Sequence, residues 1–397
     1  MTDVIIDTRT SPSERAARVA RVAAEHADDV DDRARFPREA VDELRASGLL
    51  AQAIPTDLGG EGATLSDLSG VATILAEACS ATAMIYAMHQ TQVLCLTRHG
   101  GEDATGFTDA VRRTLIRVVD NGALLASATT ELGTGGDTGR SGCAVEPTGD
   151  DRILLVKTAP VISYGAYADV ILATARRTVD SAPSDQVLVV CQAEDTDLTQ
   201  TSDWNTLGFR GTCSPGFELR AEVSADSVLP VDYAAISGQT MVPVSHILWA
   251  AVWLGIANAA ADRARTVTMR AARKSIGTLP PSATRFAELL SEVQALDGLV
   301  RDAGRRFDAL ADDRAALAAV ANSLSFLTLK ITASDAVIAI VSKALLITGI
   351  AGYRLDTDVS VGRLLRDSYG TAVMVNNDRI LASTAQLSLL TRKKTHR

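Results

Sequence analysis

The chain has 397 residues, of which 47% are hydrophobic and 22% are charged, and its formal net charge is −9 at pH 7. This length exceeds one small domain and predicts two or three domains of ordinary globular composition. The acidic balance argues against a nucleic-acid-binding protein, which would need a basic surface.

Five cysteines are spread along the chain without CxxC spacing, which argues against a zinc or redox-pair site. Their odd number and a polar N-terminus without an export signal indicate the cytoplasm. The longest apolar run, residues 247–261, contains Gly255 and Asn258 and is too short to span a bilayer. We therefore expect a cytoplasmic protein without a metal site or membrane span, in which this run forms a buried helix.

Residues from about 11 to 118 have helical patterns. Ser11 and Glu14 are spaced as a capping box, with a proline at the first helical position. An alanine-rich helical stretch follows over 66–96 and is predicted to break near Ser80.

Short apolar runs replace the helical patterns near Asp120. The runs 153–156, 170–173 and 187–190 are separated by Thr, Gly, Asp and Pro and are predicted to be strands of a sheet or small barrel. Residues 217–223 alternate between apolar and charged types, which predicts a strand with one buried face.

Helical patterns return in the last third of the chain. A helix is predicted over 245–274, with Gly277 ending it and Ser282 capping the next one. Two further long helices are predicted over 313–349 and 372–390. The order of helices, then strands, then helices disfavours a doubly wound parallel sheet.

A glycine-rich segment, Thr-Thr-Glu-Leu-Gly-Thr-Gly-Gly-Asp, covers residues 129–137. Such a segment can bring backbone N–H groups close to an anion or a carbonyl. No Gly-Lys-Ser/Thr follows it and it lies outside a βαβ unit, so neither a P-loop nor a dinucleotide fingerprint is present. Taken alone, the segment fits a flexible turn as well as a cofactor loop.

Three segments in this order resemble the acyl-CoA dehydrogenase family of flavoproteins. They are residues 129–137, Arg-Lys-Ser-Ile-Gly at 273–277, and Gly-Ile-Ala-Gly-Tyr at 349–353, which leads into Arg366-Asp367. The resemblance covers about residues 12–390. It implies a mainly α fold with a middle β domain, divided into an N-terminal helical domain (1–120), a barrel-like β domain (121–235) and a C-terminal four-helix bundle (236–397).

The resemblance also implies FAD and a set of residues that bind it. Thr130 would contact the edge of the flavin ring, and the Ser163 hydroxyl would face its N5 atom. Val161 stands where the family has a tryptophan, a departure that resembles the flavin monooxygenase branch. The other residues implied within the same subunit are Ser127, Thr129, Gly135, Gly136 and Asn377.

A second group of residues would serve the FAD of a neighbouring subunit. The family's arginine at the position of Arg273 binds the FAD pyrophosphate, a task that suits the forked guanidinium. The segment at 273–277 also contains Ser275 and Ile276. The segment at 349–353 begins with Gly349 and Ile350, and Leu346, just before it, stands in place of the usual glutamine. A homodimer or homotetramer is therefore implied.

The family's catalytic glutamate is missing at its usual position, which is Val375 here. The alternative position used by some members is Ser245, next to His246. A carboxylate that removes a weakly acidic α-proton accelerates the reaction roughly 10²–10⁴-fold. Asp378 and His246 are the nearest candidates for a replacement base.

Three functions follow from this departure. The predicted function is FAD-dependent α,β-dehydrogenation of an acyl thioester, carried by CoA or by a carrier protein, with an electron-transfer partner. The alternative is a two-component flavin monooxygenase, resembling N-hydroxylases or sulfur-heterocycle oxygenases, that uses O₂ and reduced FMN or FAD from a flavin reductase. The third is a binding protein that has lost activity.

Overall fold

The computed structural model describes residues 10–101, 106–149, 151–274 and 277–390. It confirms the predicted mainly α fold with strands in the middle of the chain. The first part contains α1 (Pro12–Asp32), α2 (Arg38–Ala46), α3 (Leu65–Ala78), α4 (Ser80–His99) and α5 (Asp109–Asn121).

The predicted signals at the ends of these helices are present. The Ser11 N–H donates to Glu14 Oε2 at 2.8 Å, and the Glu14 N–H donates to Ser11 Oγ at 3.3 Å, which completes the capping box. Cys79 has extended backbone angles between α3 and α4, which is the break predicted near Ser80.

The strands form two sheets among the described residues. The first has the order β1-β4-β5, with β1 and β4 parallel, and the second is antiparallel with the order β2-β3-β7-β6. Their bounds are β1 (Leu125–Ala128), β2 (Glu146–Gly149), β3 (Arg152–Ala159), β4 (Val170–Arg176), β5 (Gln186–Gln192), β6 (Thr196–Gln200) and β7 (Phe217–Ser224). Along β7 buried and exposed residues alternate, as predicted for residues 217–223.

The last part of the chain is again helical. Its elements are α6 (Tyr233–Ile236), a π-helical turn (Ser237–Met241), α7 (Val242–Lys274), α8 (Ser282–Ala309), α9 (Arg314–Ala318), α10 (Val320–Thr348), α11 (Ile350–Tyr353), α12 (Gly362–Val373) and α13 (Asn377–Leu390). α7 packs against α3, α8 and α10 and is the most central of these helices.

Three details of the predicted C-terminal helices were wrong. The helix predicted over 313–349 is divided, because Ala319 has extended backbone angles between α9 and α10. The helix predicted over 372–390 is likewise divided by the turn at 374–376. Ser282 is the first residue of α8 rather than its cap, since Pro281 occupies the capping position and makes no side-chain cap.

Two helical segments of the described chain, Tyr233–Lys274 and Val320–Thr348, are long and apolar enough to cross a membrane. In the folded chain, 89% of the most apolar window is buried in the first segment and 44% in the second. The run 247–261 is thus a buried helix, as predicted, but it belongs to a helix of 33 residues, so its length does not exclude a span. Core helices of soluble proteins pass the same test, which makes this weak evidence for a membrane protein.

Arg366 and Asp367 join distant parts of the chain. Asp367 is buried and accepts hydrogen bonds from the Phe209 N–H at 2.6 Å and from the Ser80 hydroxyl. Arg366 forms an ion pair with Asp31 at the end of α1. These contacts fix α1, α4, the chain before β7 and α12 relative to each other. We propose that the three predicted domains, 1–120, 121–235 and 236–397, correspond to the three groups of elements that meet here.

Candidate functional site

The glycine-rich segment 129–137, here called the Gly-rich loop, follows directly after β1, and parts of its main chain are not covered by other residues. Gly133, Gly135 and Gly136 have φ values of 91°, 62° and 80°, a region that favours glycine. A Cβ atom added to Gly133 or Gly135 would meet no atom within 4 Å. The loop therefore has room for a ligand to approach its main chain.

A buried ion pair fixes the start of this loop. Glu131 accepts hydrogen bonds from the N–H groups of Gly142 at 3.1 Å and Cys143 at 2.8 Å, and its Oε2 lies 3.2 Å from Lys157 Nζ. Lys157 is fully buried and also donates to the Thr174 carbonyl at 2.9 Å. Burial alone would raise the pKa of Glu131, but the Lys157 ammonium and the Cys143 N–H hold it below its usual value. The carboxylate stays ionised and keeps the loop in place.

Thr130 in the Gly-rich loop and Ser163 in a neighbouring segment each carry a hydroxyl group. Thr130 Oγ1 makes only a long contact of 3.5 Å with the Val161 carbonyl, so its hydroxyl is nearly free. Ser163 is half-buried, and its Oγ accepts a hydrogen bond from Ser214 Oγ at 2.9 Å. The structure thus brings Thr130 and the segment of Ser163 together.

Ser127 lies in β1, and Thr129 is the first residue of the Gly-rich loop that follows it. Ser127 is half-buried and pairs with Leu172 in the β1–β4 register. The Thr129 carbonyl accepts a hydrogen bond from Thr174 Oγ1 at 3.3 Å. Their predicted roles in cofactor binding stay predictions.

The turn between α12 and α13, residues 374–376, carries the position of the family's glutamate. Val375 has a φ of 47°, an unfavourable value for a β-branched residue. Lys330 Nζ holds the turn by donating to the carbonyls of Thr371 at 3.0 Å and Val375 at 2.8 Å, and to Asn377 Oδ1 at 2.7 Å. Asn377 Nδ2 donates to Ser334 Oγ at 2.9 Å, so its predicted bond to a cofactor would use its remaining N–H group.

Lys330 is a buried cation. Burial lowers the pKa of Lys330 to about 8, against the opposing effect of the Asp335 carboxylate. Its ammonium lies 5.8 Å from the centre of the Trp253 ring, and its three donated hydrogen bonds use all its protons. It is therefore built to hold the turn.

The two candidate bases lie in different surroundings. Asp378 is exposed in the first turn of α13, and within the described residues its carboxylate has no ion-pair or hydrogen-bond partner. His246 lies inside the bundle and donates from Nδ1 to the Phe326 carbonyl at 3.0 Å. Burial lowers the pKa of His246 to about 4, which leaves the imidazole neutral at pH 7. The structure gives the free carboxylate an accessible place and encloses the imidazole.

Arg379 connects α13 to the Gly-rich loop. Its guanidinium donates a hydrogen bond to the Gly135 carbonyl, across 244 positions of sequence. The contact brings the Gly-rich loop and the first turn of α13, with Asp378, to one site.

Four of the remaining predicted residues, Arg273, Leu346, Gly349 and Ile350, lie at the other end of the bundle. Arg273 is exposed at the end of α7, and an ion pair between Arg270 and Asp358 at 2.6 Å ties this end to the chain after α11. Gly349 has a φ of 59°, with nothing within 4 Å of an added Cβ. Nineteen residues of helix separate it from Lys330, a distance of roughly 28 Å.

We call this region, Arg273 together with residues 346–355, the far end of the bundle. Leu346 and Ile350 are 66% and 75% exposed there. The predicted residues Ser275 and Ile276 lie outside the described residues.

Sequence reasoning missed Lys157, Lys330 and Arg379. A signal existed for Lys157, which shares the buried face of β3 with Ile153 and Leu155 by strict alternation. Lys330 also stands out, as one of only three charged residues, with Asp335 and Lys343, in the long apolar helix α10. Arg379 had no local signal, since its partner is remote in sequence.

The site offers open main chain and hydroxyl groups, which are the groups that hold a cofactor by hydrogen bonds. The open backbone of the Gly-rich loop and the nearly free Thr130 hydroxyl lie beside the half-buried hydroxyl of Ser163. Among the described residues, the turn at 374–376 has apolar Val375 in place of a carboxylate.

Comparison with known proteins identifies the family. Residues 13–105 match the acyl-CoA dehydrogenase N-terminal domain, and residues 239–378 match the acyl-CoA dehydrogenase C-terminal domain. The chain belongs to the acyl-CoA dehydrogenase superfamily. This confirms the resemblance and the fold and identifies the protein as an enzyme, an oxidoreductase of a flavoprotein family.

The chain is similar to dehydrogenases and also to proteins of the flavin monooxygenase branch. It is 26% identical to cyclohex-1-ene-1-carbonyl-CoA dehydrogenase of Geobacter metallireducens over 376 residues, which cover 93% of this chain and 94% of the relative. It is 30% identical to L-evernosamine nitrososynthase of a Micromonospora species over 262 residues, which cover 62% of this chain and 58% of the relative.

The same fold occurs in a solved structure of the oxygenase branch. The FMN-bound dibenzothiophene monooxygenase of Paenibacillus sp. A11-2 superposes with a TM-score of 0.82 at 18% identity, covering 96% of this chain and 98% of that chain.

Proposed function

We propose that this member of the acyl-CoA dehydrogenase superfamily is an FAD-dependent oxidoreductase that desaturates an acyl thioester at its α and β carbons. The observation that carries the proposal is the combination of an open Gly-rich loop with a free carboxylate, Asp378, on the helix that contacts it. Its likeness to an acyl-CoA dehydrogenase over 93% of the chain supports this function.

The residues of the site would share the work as follows. Thr130 and Ser163 would hold the flavin ring by their hydroxyl groups, and the amides of Gly135 and Gly136 would approach it from the loop. A bound flavin supplies the two-electron acceptor. Asp378 would take the α-proton, while the buried pair of Glu131 and Lys157 keeps the loop in position.

The substitution Asp378→Asn tests the base. It removes the proton acceptor but keeps the size of the side chain, so we expect flavin reduction by acyl-CoA thioesters to slow roughly 10²–10⁴-fold. The measurement is anaerobic stopped-flow bleaching of the flavin absorbance, with flavin affinity unchanged.

The matched control is Asp197→Asn, which changes an exposed carboxylate of β6, outside the Gly-rich loop. A full bleaching rate in Asp378→Asn would remove Asp378 as the base, and the same substitution at His246 then tests the second candidate.

A specific observation favours a second function. The turn presents Val375 where the family has its catalytic carboxylate, and one relative, 30% identical over 62% of this chain, is a nitrososynthase. A flavin monooxygenase needs no α-proton base. If the protein is a monooxygenase, mixing with thioesters leaves the flavin oxidised. Turnover is then seen only when O₂ is present and a reductase supplies reduced FMN or FAD.

We also propose FAD as the resident flavin, an electron-transfer partner for the dehydrogenase, a cytoplasmic location and a homodimer or homotetramer. The exposed apolar residues of the far end, which include Leu346, Ile350 and Tyr353, support association of copies. Sedimentation of the purified chain tests this, and a monomer at micromolar concentration would contradict it.

A further inference from the structure

The guanidinium of Arg379 lies against the Gly-rich loop and has donors to spare. One N–H group bonds to the Gly135 carbonyl, and Nη1 would lie 3.3 Å from a Cβ atom at Gly136. An arginine has five N–H donors in a fixed fork, so most of them remain available. Because residue 136 is glycine, there is space beside it for the Arg379 side chain. A larger residue at position 136 would crowd the guanidinium.

The surroundings of Arg379 suit an anion. The positive φ values of Gly135 and Gly136 give the main-chain turn of the kind that forms anion-binding concavities. The Glu131 carboxylate of the loop is paired with the Lys157 ammonium. The side chain of Asp137 is folded back, since its Oδ1 accepts the Gly139 N–H at 3.0 Å.

The backbone of Arg379 is held in place. It stands in the first turn of α13, where the helix dipole adds a partial positive charge. Lys330 fixes the start of this helix through Asn377. Asp378 precedes Arg379 by about 100° of helix rotation, so the two side chains leave the helix in different directions.

We infer that Arg379 binds the phosphate that FMN and FAD share, the one attached to the ribityl chain. The inference rests on the proposed flavin site and adds a contact to it. A guanidinium matches two phosphate oxygens at once, and the loop amides can donate to the third. Arg379 thereby acts as a binding residue that distinguishes a phosphorylated flavin from riboflavin.

The test compares three ligands that differ in phosphate content. The affinities of riboflavin, FMN and FAD are measured by flavin fluorescence titration for the full-length protein and for Arg379→Met. We expect the Kd of FMN and FAD to rise about 10- to 100-fold, the usual loss for a charge-assisted hydrogen bond. The Kd of riboflavin should change less than about twofold, because it has no phosphate.

Two further variants complete the design. Arg379→Lys keeps the charge without the fork and should restore part of the FMN affinity. Arg301→Met removes an exposed arginine of α8, far from the Gly-rich loop, and should leave all three affinities unchanged. Thermal melting of each variant checks that the fold is intact.

Two results would overturn the inference while leaving the flavin site standing. One is unchanged FMN affinity in Arg379→Met. The other is an equal loss for riboflavin and FMN, which would mean that Arg379 only shapes the loop. A wild-type protein that binds none of the three flavins would instead overturn the proposed function, and this inference with it.

Discussion

The Gly-rich loop and the far end of the bundle are built differently. At the Gly-rich loop the chain satisfies its own buried charges, since Lys157 pairs with Glu131 and Lys330 holds the turn of Val375. At the far end of the bundle, Arg273 and apolar side chains such as Ile350 are exposed.

The difference shows which part of the site one chain can complete. A buried ammonium must find acceptors within the chain, because an unpaired charge in the interior is very costly. Exposed apolar residues in a continuous region mark a surface that another molecule covers. The loop end therefore satisfies its charges within one chain, and the far end leaves exposed apolar surface of the kind that the proposed homo-oligomer would cover.

The largest expected effect comes from breaking the loop end. Lys157→Met leaves the Glu131 carboxylate without its cation in a nearly buried position, so we expect a loss of about 3–5 kcal/mol in the free energy of unfolding. Urea denaturation followed by circular dichroism measures it. The double variant Lys157→Met/Glu131→Gln removes both charges and should recover a large part of the loss. Equal losses in the single and double variants would contradict the role of the pair.

A smaller effect is expected at the far end. Arg273→Ala should raise the Kd of FAD about tenfold, because a guanidinium contact with the second phosphate is lost, and should leave the Kd of FMN unchanged. Arg265→Ala, an exposed arginine of the same helix, is the control. A parallel loss of FMN and FAD affinity would place Arg273 near the flavin end and erase the distinction between the two ends.

The smallest effect concerns the acid stability of the bundle around His246, which bonds to Phe326 one helical turn from Lys330. The pKa of His246 is about 4 in the folded chain, below the ordinary 6.5, because of burial. Between these two pKa values the imidazole is protonated in the unfolded chain but not in the folded chain. The free energy of unfolding therefore falls as the pH drops from about 6.5 towards 4. By pH 5.5 this costs about 1 kcal/mol.

The substitution His246→Gln should flatten the pH dependence by that amount, relative to its own stability at pH 7.5. Denaturation curves at a series of pH values measure it. A slope that matches the wild type would show that His246 titrates normally and is not enclosed.

Much of this architecture was readable from local patterns. The capping box at Ser11, the break before Ser80 and the alternation in β7 depend on neighbouring residues, so periodicity and turn chemistry predicted them. The boundaries failed where the backbone changes direction without a strong signal, as at Ala319 and at the turn of Val375.

The order of helices, strands and helices, the glycine-rich segment and the absence of a carboxylate at position 375 could all be read from the amino-acid sequence, because these are properties of adjacent residues. The contacts of Lys330 with Asn377, 47 positions away, and of Arg379 with Gly135, 244 positions away, exist only in the folded chain. Such contacts depend on how whole helices pack, since a long polar side chain chooses its partner from whatever the folded chain places within hydrogen-bond distance.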